Sequence, residues 1–125
     1  MARLDISLLG GYALRLDGEP IADLGGDKER ALLALLAVEG AQSHPRARLV
    51  DLLWPDDVES NARRNLRVTL YRLRRTIGDH DVDPPFLLTS RDELQLNSDA
   101  DVRVDVATFA KLLATVSAHN HEDEA

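Results

Sequence analysis

The clearest pattern of apolar and polar positions lies between residues 60 and 78. Its apolar side chains recur every three or four positions and therefore share one face of an α-helix. They are Leu66, Leu70, Leu73 and Ile77. The opposite face is mostly basic, and Gly78 is typical of the residue that follows a helix. We expect a helix over about residues 60–77 that packs on a core along one side and presents cations along the other.

The remaining patterns predict strands before this helix, further helices and a hairpin after it. Apolar runs over 4–9 and 12–16 flank Gly10-Gly11, which predicts a β-hairpin; 17–20 is expected as a turn and 21–24 as a third short strand. After residue 26 we expect first a buried helix over 27–39 capped by Asp27, then a connector or short strand at 41–44 and a helix over 46–53. The arginine-rich helix is followed by an acidic linker at 79–85, a hairpin over 86–96, a strand at 102–104 and a helix over 106–117 capped by Asp105. This order predicts an α+β fold: a winged helix-turn-helix with an N-terminal antiparallel β-sheet, a three-helix core and a C-terminal β-hairpin wing.

The charge of the chain is divided unevenly, although its net value is −7. Residues 60–78 hold six arginines and no acid, whereas the remainder holds nine basic and 22 acidic residues, or −13. A charged helix face is ordinarily just solvated. Six arginines without lysine nevertheless suit a polyanion, because guanidinium groups bind phosphate and guanine edges in a bidentate manner. A basic stripe on an acidic body is expected to bind DNA from one direction only.

Composition narrows the function classes. At 125 residues the chain is long enough for one domain with its own core, and the lack of cysteine excludes disulfides, thiolate zinc sites and cysteine nucleophiles. The N-terminus lacks the apolar core of a signal peptide, and no apolar run approaches the ~18–20 residues of a membrane span. The four histidines assemble no metal site, and neither a catalytic constellation nor a glycine-rich phosphate loop is present. We therefore expect no enzyme, no cofactor, no metal and no membrane contact, and a cytoplasmic location.

Five segments of the chain resemble a known group of regulators. They are Leu9-Gly10 and residues 28–36 (KERALLALL), 49–55 (LVDLLWP), 62–67 (ARRNLR) and 73–75 (LRR). The element order resembles the OmpR/PhoB-type DNA-binding domain. The residues resemble SARP-type regulators (the antibiotic regulatory protein family) over roughly residues 4–104, and the Leu-Trp-Pro turn followed by Ala-Arg-Arg-Asn-Leu-Arg is the most specific part.

The resemblance implies a DNA-binding domain over residues 1–104. Residues 105–117 resemble the opening of the helical bacterial transcriptional activator (BTAD) region that follows in such regulators. Residues 118–125 are expected to form a disordered acidic tail. The chain is thus similar to an excised N-terminal domain, or to a regulator reduced to its DNA-binding part.

The resemblance also assigns roles to side chains, because it implies that the third helix enters the major groove. The candidates for reading base edges are Arg64, Arg67, Val68 and Arg72, and the candidates for contacting phosphate are Arg63, Tyr71, Arg74 and Arg75. Arg91 in the wing is a candidate for the adjacent minor groove, although an ion pair with Asp92 or Glu93 in a plain surface turn fits equally well.

Two further residues have structural interpretations to set beside functional ones. Asn65 is expected either to contact DNA or to donate a hydrogen bond to the turn at 56–59. Trp54 ends a helix just before Pro55, which favours packing in the core over stacking on a base. Lys28 and Arg30 at the start of the first helix are expected to be solvated rather than to contact phosphate at the edge of the site.

We therefore expect sequence-specific binding of double-stranded DNA by a bacterial transcriptional regulator, and the resemblance implies an activator. Members of the family are expected to bind direct repeats near promoters as head-to-tail copies and to contact RNA polymerase partly through its sigma factor. Such a protein would act at the nucleoid. The alternative is a winged-helix module for protein interaction, in which the arginine-rich helix docks an acidic protein partner.

Overall fold

The computed structural model describes residues 1–40, 42–106 and 113. The described chain begins with three strands, continues through three helices and ends with a hairpin and one more strand. The helices are α1 (Asp27–Val38), α2 (Arg46–Leu53) and α3 (Glu59–Thr76). The strands are β1 (Arg3–Ser7), β2 (Ala13–Leu16), β3 (Glu19–Pro20), β4 (His44–Pro45), β5 (Leu87–Thr89), β6 (Glu93–Leu96) and β7 (Asp101–Val104).

The first sheet has the strand order β3-β2-β1-β7. β1 and β2 form the predicted antiparallel hairpin, with Leu4 opposite Leu16 and Ile6 opposite Leu14. Alternate residues of β1 are buried, since successive side chains of a strand point to opposite faces. β7 pairs with the other edge of β1 in the parallel direction, so the sheet joins the two ends of the described domain.

The second sheet has the strand order β4-β6-β5 and forms the wing side of the molecule. β5 and β6 are the predicted hairpin, and we call these strands and the turn at 90–92 the wing. β4 is only two residues long, yet His44 pairs with Leu94 and Pro45 with Glu93. This pairing places the wing directly beside the first residue of α2.

The three helices enclose one apolar core together with the inner faces of both sheets. Leu32, Leu36 and Leu49 are fully buried in it, as are Leu73 and Phe86. The predicted stripe of α3 faces this core, because Leu66, Leu70, Leu73 and Ile77 are all buried. The opposite, arginine-rich side of α3 is therefore left on the surface. None of the described helices combines the length and the hydropathy that crossing a membrane requires.

Several boundaries differ from the sequence-based expectations. The third strand is not at 21–24 but at Glu19–Pro20, inside the expected turn, because only Asp17-Gly18 reverses the chain. Asp27 is the first residue of α1 rather than its cap, and Gly26 takes the cap position. The helix expected over 106–117 and the tail at 118–125 lie outside the described residues, apart from Val106 and Leu113.

The acidic linker expected at 79–85 is partly folded structure. Asp79–Asp81 form a turn of 3-10 helix immediately after Gly78, which adopts a left-handed conformation with φ of 69°. The side chain of Asp79 is fully buried and accepts backbone hydrogen bonds from the start of the wing, from Phe86 (2.5 Å) and Leu87 (3.3 Å). Local composition misled the prediction here, since an acid that bonds to backbone N–H groups can be buried.

Candidate nucleic-acid interface

The exposed face of α3 is the most cationic surface of the described chain. α3 begins with Glu59 in its first turn and ends with Arg74 and Arg75 in its last, which suits the helix dipole at both ends. Between them the predicted arginines project away from the buried leucines. The helix therefore has the two-sided character that the pattern predicted.

The six arginines of α3 have different surroundings. Arg63 forms an ion pair with Glu59 at 2.9 Å, but both side chains are well exposed, so the pair is weak and exchanges readily. Arg74 pairs with the buried Asp79. In the described part of the chain, the other four form no ion pair; they are Arg64, Arg67, Arg72 and Arg75. These four cations are available to an external anion.

Arg74 is bound to another part of the protein, although it was predicted to contact phosphate. Its Nε donates to Asp79 Oδ2 at 3.0 Å, and its side chain is only 27% exposed. The same carboxylate accepts the backbone bonds of Phe86 and Leu87 at the start of the wing. Arg74 and Asp79 together thus join the last turns of α3 to the wing.

Val68 and Tyr71 lie on the exposed face among the arginines. Val68 is 42% exposed and Tyr71 is 56% exposed, unusually high for residues of their size and apolar character. Tyr71 has the guanidinium of Arg75 6.0 Å from its ring centre and the ring of His80 at 5.9 Å. The ring thus covers part of the helix surface while the residue remains more than half exposed.

Asn65 and Trp54 have the structural contacts that the sequence predicted as alternatives to DNA binding. The amide of Asn65 donates to Asp57 Oδ2 at 3.1 Å, in the turn between α2 and α3. Trp54 is partly buried and packs against the core. Lys28 is not simply solvated, since its Nζ donates to the Leu53 carbonyl and lies 5.5 Å from the centre of the Trp54 ring. Arg30 pairs with Asp27.

Arg91 stands exposed at the tip of the wing. Asp92 follows it, but the described residues show no ion pair between Arg91 and an acid. Glu93 instead accepts a hydrogen bond from Ser43 at 2.6 Å. Arg91 lines the same cleft as Arg63 and Arg67 of α3, so the structure brings the wing candidate beside the helix candidates.

Arg46 belongs to this surface, although the sequence pattern did not single it out. It is the first residue of α2, and it lines the cleft together with Arg67 and Arg91. Burial lowers the pKa of the Arg46 guanidinium, the nearby Arg67 lowers it further, and Asp92 opposes both in part. Only the pairing of the two-residue strand β4 with the wing brings Arg46 here, and so short a strand gives no sequence signal of its own.

Known proteins resemble the chain in both sequence and structure. Residues 24–93 match the family described as "Transcriptional regulatory protein, C terminal". The chain belongs to this family. The match covers all three helices and reaches into the wing, so it includes the whole surface described above. It confirms the winged-helix fold and the OmpR/PhoB-type resemblance that the sequence predicted.

Individual relatives within this family are mycobacterial regulators. The transcriptional regulatory protein EmbR of Mycobacterium tuberculosis is 32% identical over 88 residues, and MoaR1 of the same organism is 33% identical over 87 residues. Each alignment covers 70% of this chain, but the chain spans only 22% of EmbR and 28% of MoaR1. These relatives confirm the likeness to SARP-type regulators.

A solved structure of one of these relatives has a similar fold. Mycobacterium tuberculosis EmbR, determined in complex with a low-affinity phosphopeptide, superimposes with a TM-score of 0.65 at 29% sequence identity. The match covers 82% of this chain and 27% of that one. As members of a family of transcriptional regulators, these chains share a winged-helix domain for binding DNA.

Proposed function

We propose that this chain is the DNA-binding domain of a bacterial transcriptional activator, and that it recognises a specific double-stranded sequence with α3 in the major groove. The observation that carries the proposal is the set of four α3 arginines without an ion pair in the described chain. A protein surface that concentrates uncompensated guanidinium groups on an otherwise acidic molecule is suited to a polyanion.

Position along α3 divides the proposed roles. Arg64, Arg67 and Arg72 reach base edges, where a bidentate contact to guanine contributes about 1–3 kcal/mol of discrimination, and Val68 packs on a thymine methyl group. Arg75, Tyr71 and Arg63 hold phosphates. Arg63 does so by exchanging its exposed partner Glu59 for the DNA backbone, which costs little because the pair is solvated.

Arg74 takes a different role from the one its position alone implies. Its bond to Asp79 makes it the residue that joins α3 to the wing, and it approaches phosphate only with the part of its guanidinium that remains exposed. The wing places Arg91 in the adjacent minor groove, where a narrow A·T-rich segment attracts arginine.

The proposed regulatory assembly extends beyond this chain. Two copies occupy direct repeats near a promoter in head-to-tail order, and the bound pair contacts RNA polymerase through its sigma factor. Such an arrangement compensates for the acidic body, since contacts between neighbours add to the binding of each copy. The protein would carry out this activity at the nucleoid.

A binding titration across a salt series tests the proposal. The full chain is titrated onto genomic fragments, and log K is expected to fall linearly with log salt at a slope of about −0.9 for each phosphate contacted. One set of fragments should bind more tightly than the rest at every salt concentration. An Arg64→Ala/Arg67→Ala/Arg72→Ala variant should lose this preference.

A flat salt dependence would contradict DNA binding. It would favour the alternative, in which α3 docks an acidic protein. Equal affinity for all fragments, combined with a steep salt dependence, would contradict sequence-specific recognition alone.

A further inference from the structure

A cleft of about 500 Å³ separates α3 from the wing. The start of α2 forms its third wall. Its lining residues are Pro45, Arg46, Ala47, Arg63, Leu66, Arg67, Arg91 and Asp92. Four of these eight are arginines and only one is acidic, and we call this space the cationic cleft. A smaller cleft of about 240 Å³ shares Arg46 and Arg67 with it and extends along α3 to Arg74 and His80.

Arg46 lines both clefts and also contacts the wing. Its backbone N–H donates to the Asp92 carbonyl at 2.8 Å, and its Nε donates to the Ser90 carbonyl at 3.0 Å. Both acceptors belong to the wing turn, so Arg46 fixes that turn to the start of α2. The Nε bond also fixes the plane of the guanidinium, because the group is rigid and flat.

The charge of Arg46 is only partly compensated within the described chain. It forms no ion pair with any described residue, and the repulsion from Arg67 that lowers its pKa is opposed only in part by Asp92. Partial burial adds to this cost, since a charge removed from water needs an opposite charge or several hydrogen bonds. A phosphate beside Arg46 would supply the missing opposite charge and relieve the repulsion from Arg67.

The position of the cleft indicates which anion that is. Adjacent major and minor grooves of a duplex are divided by one sugar-phosphate strand. A protein with a helix in one groove and a wing in the next must therefore straddle that strand. The cationic cleft lies between α3 and the wing, where such a strand would pass.

We propose that Arg46 binds the phosphate of the DNA strand that runs between α3 and the wing, an inference that rests on the proposed DNA binding. Its hydrogen bonds to the Ser90 and Asp92 carbonyls hold the wing at the distance from α3 that this strand requires. Arg46 is thus both a phosphate-binding and a wing-positioning residue. A phosphate contact carries no base information, so its contribution is the same for every sequence.

The test compares Arg46→Gln with Arg48→Gln in the full chain. Arg48 is on the same helix and loses the same charge, but it is exposed and pairs with Glu39 at 3.3 Å outside the cleft. On a duplex carrying the preferred site, Arg46→Gln should reduce the steepness of the salt dependence by about 0.9 and weaken binding roughly three- to tenfold. The loss should be equal on an unrelated duplex. Arg48→Gln should leave the slope unchanged.

Neutralising one phosphate at a time separates direct contact from wing positioning. On duplexes with single methylphosphonate substitutions, the effect of Arg46→Gln should shrink at the one or two positions between the grooves, where only the wing-positioning part is left, and persist in full at all others. An effect that persists in full at every position would overturn the phosphate contact, and so would an unchanged salt slope.

Wild-type protein provides a readout that does not depend on the folding of a variant. The Arg46 Nε–H resonance should shift on addition of DNA, whereas that of Arg48 should not. A wild-type protein that binds no DNA refutes the proposed function itself. Specific, salt-dependent binding with an unmoved Arg46 resonance refutes only the role of Arg46.

Discussion

The partner of each arginine on α3, rather than its position alone, decides what that arginine can do. Arg67 and Arg74 are one heptad apart on the same helix and carry the same charge. Arg67 faces the cationic cleft without an ion pair among the described residues, whereas Arg74 is bound to the buried carboxylate of Asp79. Arg67 is therefore available to an external anion, whereas Arg74 is held by Asp79.

Replacing Arg74 by alanine should therefore destabilise the protein. Asp79 would keep its bonds to the backbone of the wing but lose its only cation among the described residues, and a buried group left partly unsatisfied costs about 1–3 kcal/mol. Urea denaturation measures this loss in the free energy of unfolding.

Arg75→Ala is the matched control for this change. Arg75 is the next residue of α3 and is exposed, so its loss should change the free energy of unfolding by less than about 0.5 kcal/mol. Equal stability losses in the two variants would show that Asp79 does not depend on Arg74.

At the scale of secondary-structure elements, Asp105 joins the end of β7 to the end of β1. Its carboxylate accepts backbone hydrogen bonds from Leu8 at 2.9 Å and Leu9 at 3.1 Å. Desolvation acts to raise the pKa of Asp105. The backbone hydrogen bonds from Leu8, Leu9, Val106 and Asp105 itself outweigh it and lower the pKa below its ordinary value. Folding therefore favours the ionised form.

The stability contribution of Asp105 should consequently be lost in acid. Because the folded-state pKa is lower than that of the unfolded chain, about 3.9, the contribution is complete above that pH and disappears as the pH falls through the folded pKa. Asp105→Asn should be less stable than the wild type at pH 6, and the difference should shrink below about pH 4. Thermal unfolding from pH 6 to 2.5 measures it. A difference that is constant with pH would contradict the role of the charge.

The elements that the sequence predicts well are those with a local signal. α2 and α3 follow from apolar periodicity, and α1 follows from a nearly continuous apolar run that Gly40 ends. The β1–β2 and β5–β6 hairpins follow from short apolar runs around turn residues. β3 and β4 are only two residues long, and their existence depends on a partner strand rather than on their own composition. The parallel pairing of β7 with β1 joins positions almost a hundred residues apart, which no local pattern encodes.

The residues of the candidate site also fall into those with a local sequence signal and those without one. The exposed arginines of α3 could be predicted because a helix places every third or fourth residue on one side. Arg46 could not, because it reaches the wing only through the pairing of β4 with β6. The bond between Arg74 and Asp79 was equally hidden, since an aspartate in an acidic stretch has the composition of a solvated linker.

At the scale of the whole molecule, the charge distribution makes binding directional. α3, the start of α2 and the wing tip hold eight of the thirteen arginines, while the chain as a whole carries −7. The acidic remainder repels DNA from other directions, which weakens non-specific association and increases the dependence on correct base contacts. Tight binding by this domain therefore depends on its sequence preference.

Selection of bound sites from random duplex DNA tests this claim most directly. The full chain should enrich one recurring motif, spaced as direct repeats. Arg67→Ala should relax the preference at one position of that motif, by about 1–3 kcal/mol of discrimination, whereas Arg75→Ala should enrich the same motif with weaker binding. Recovery of no motif would contradict base recognition by this face of α3, and an identical motif with Arg67→Ala would contradict the role of Arg67 in it.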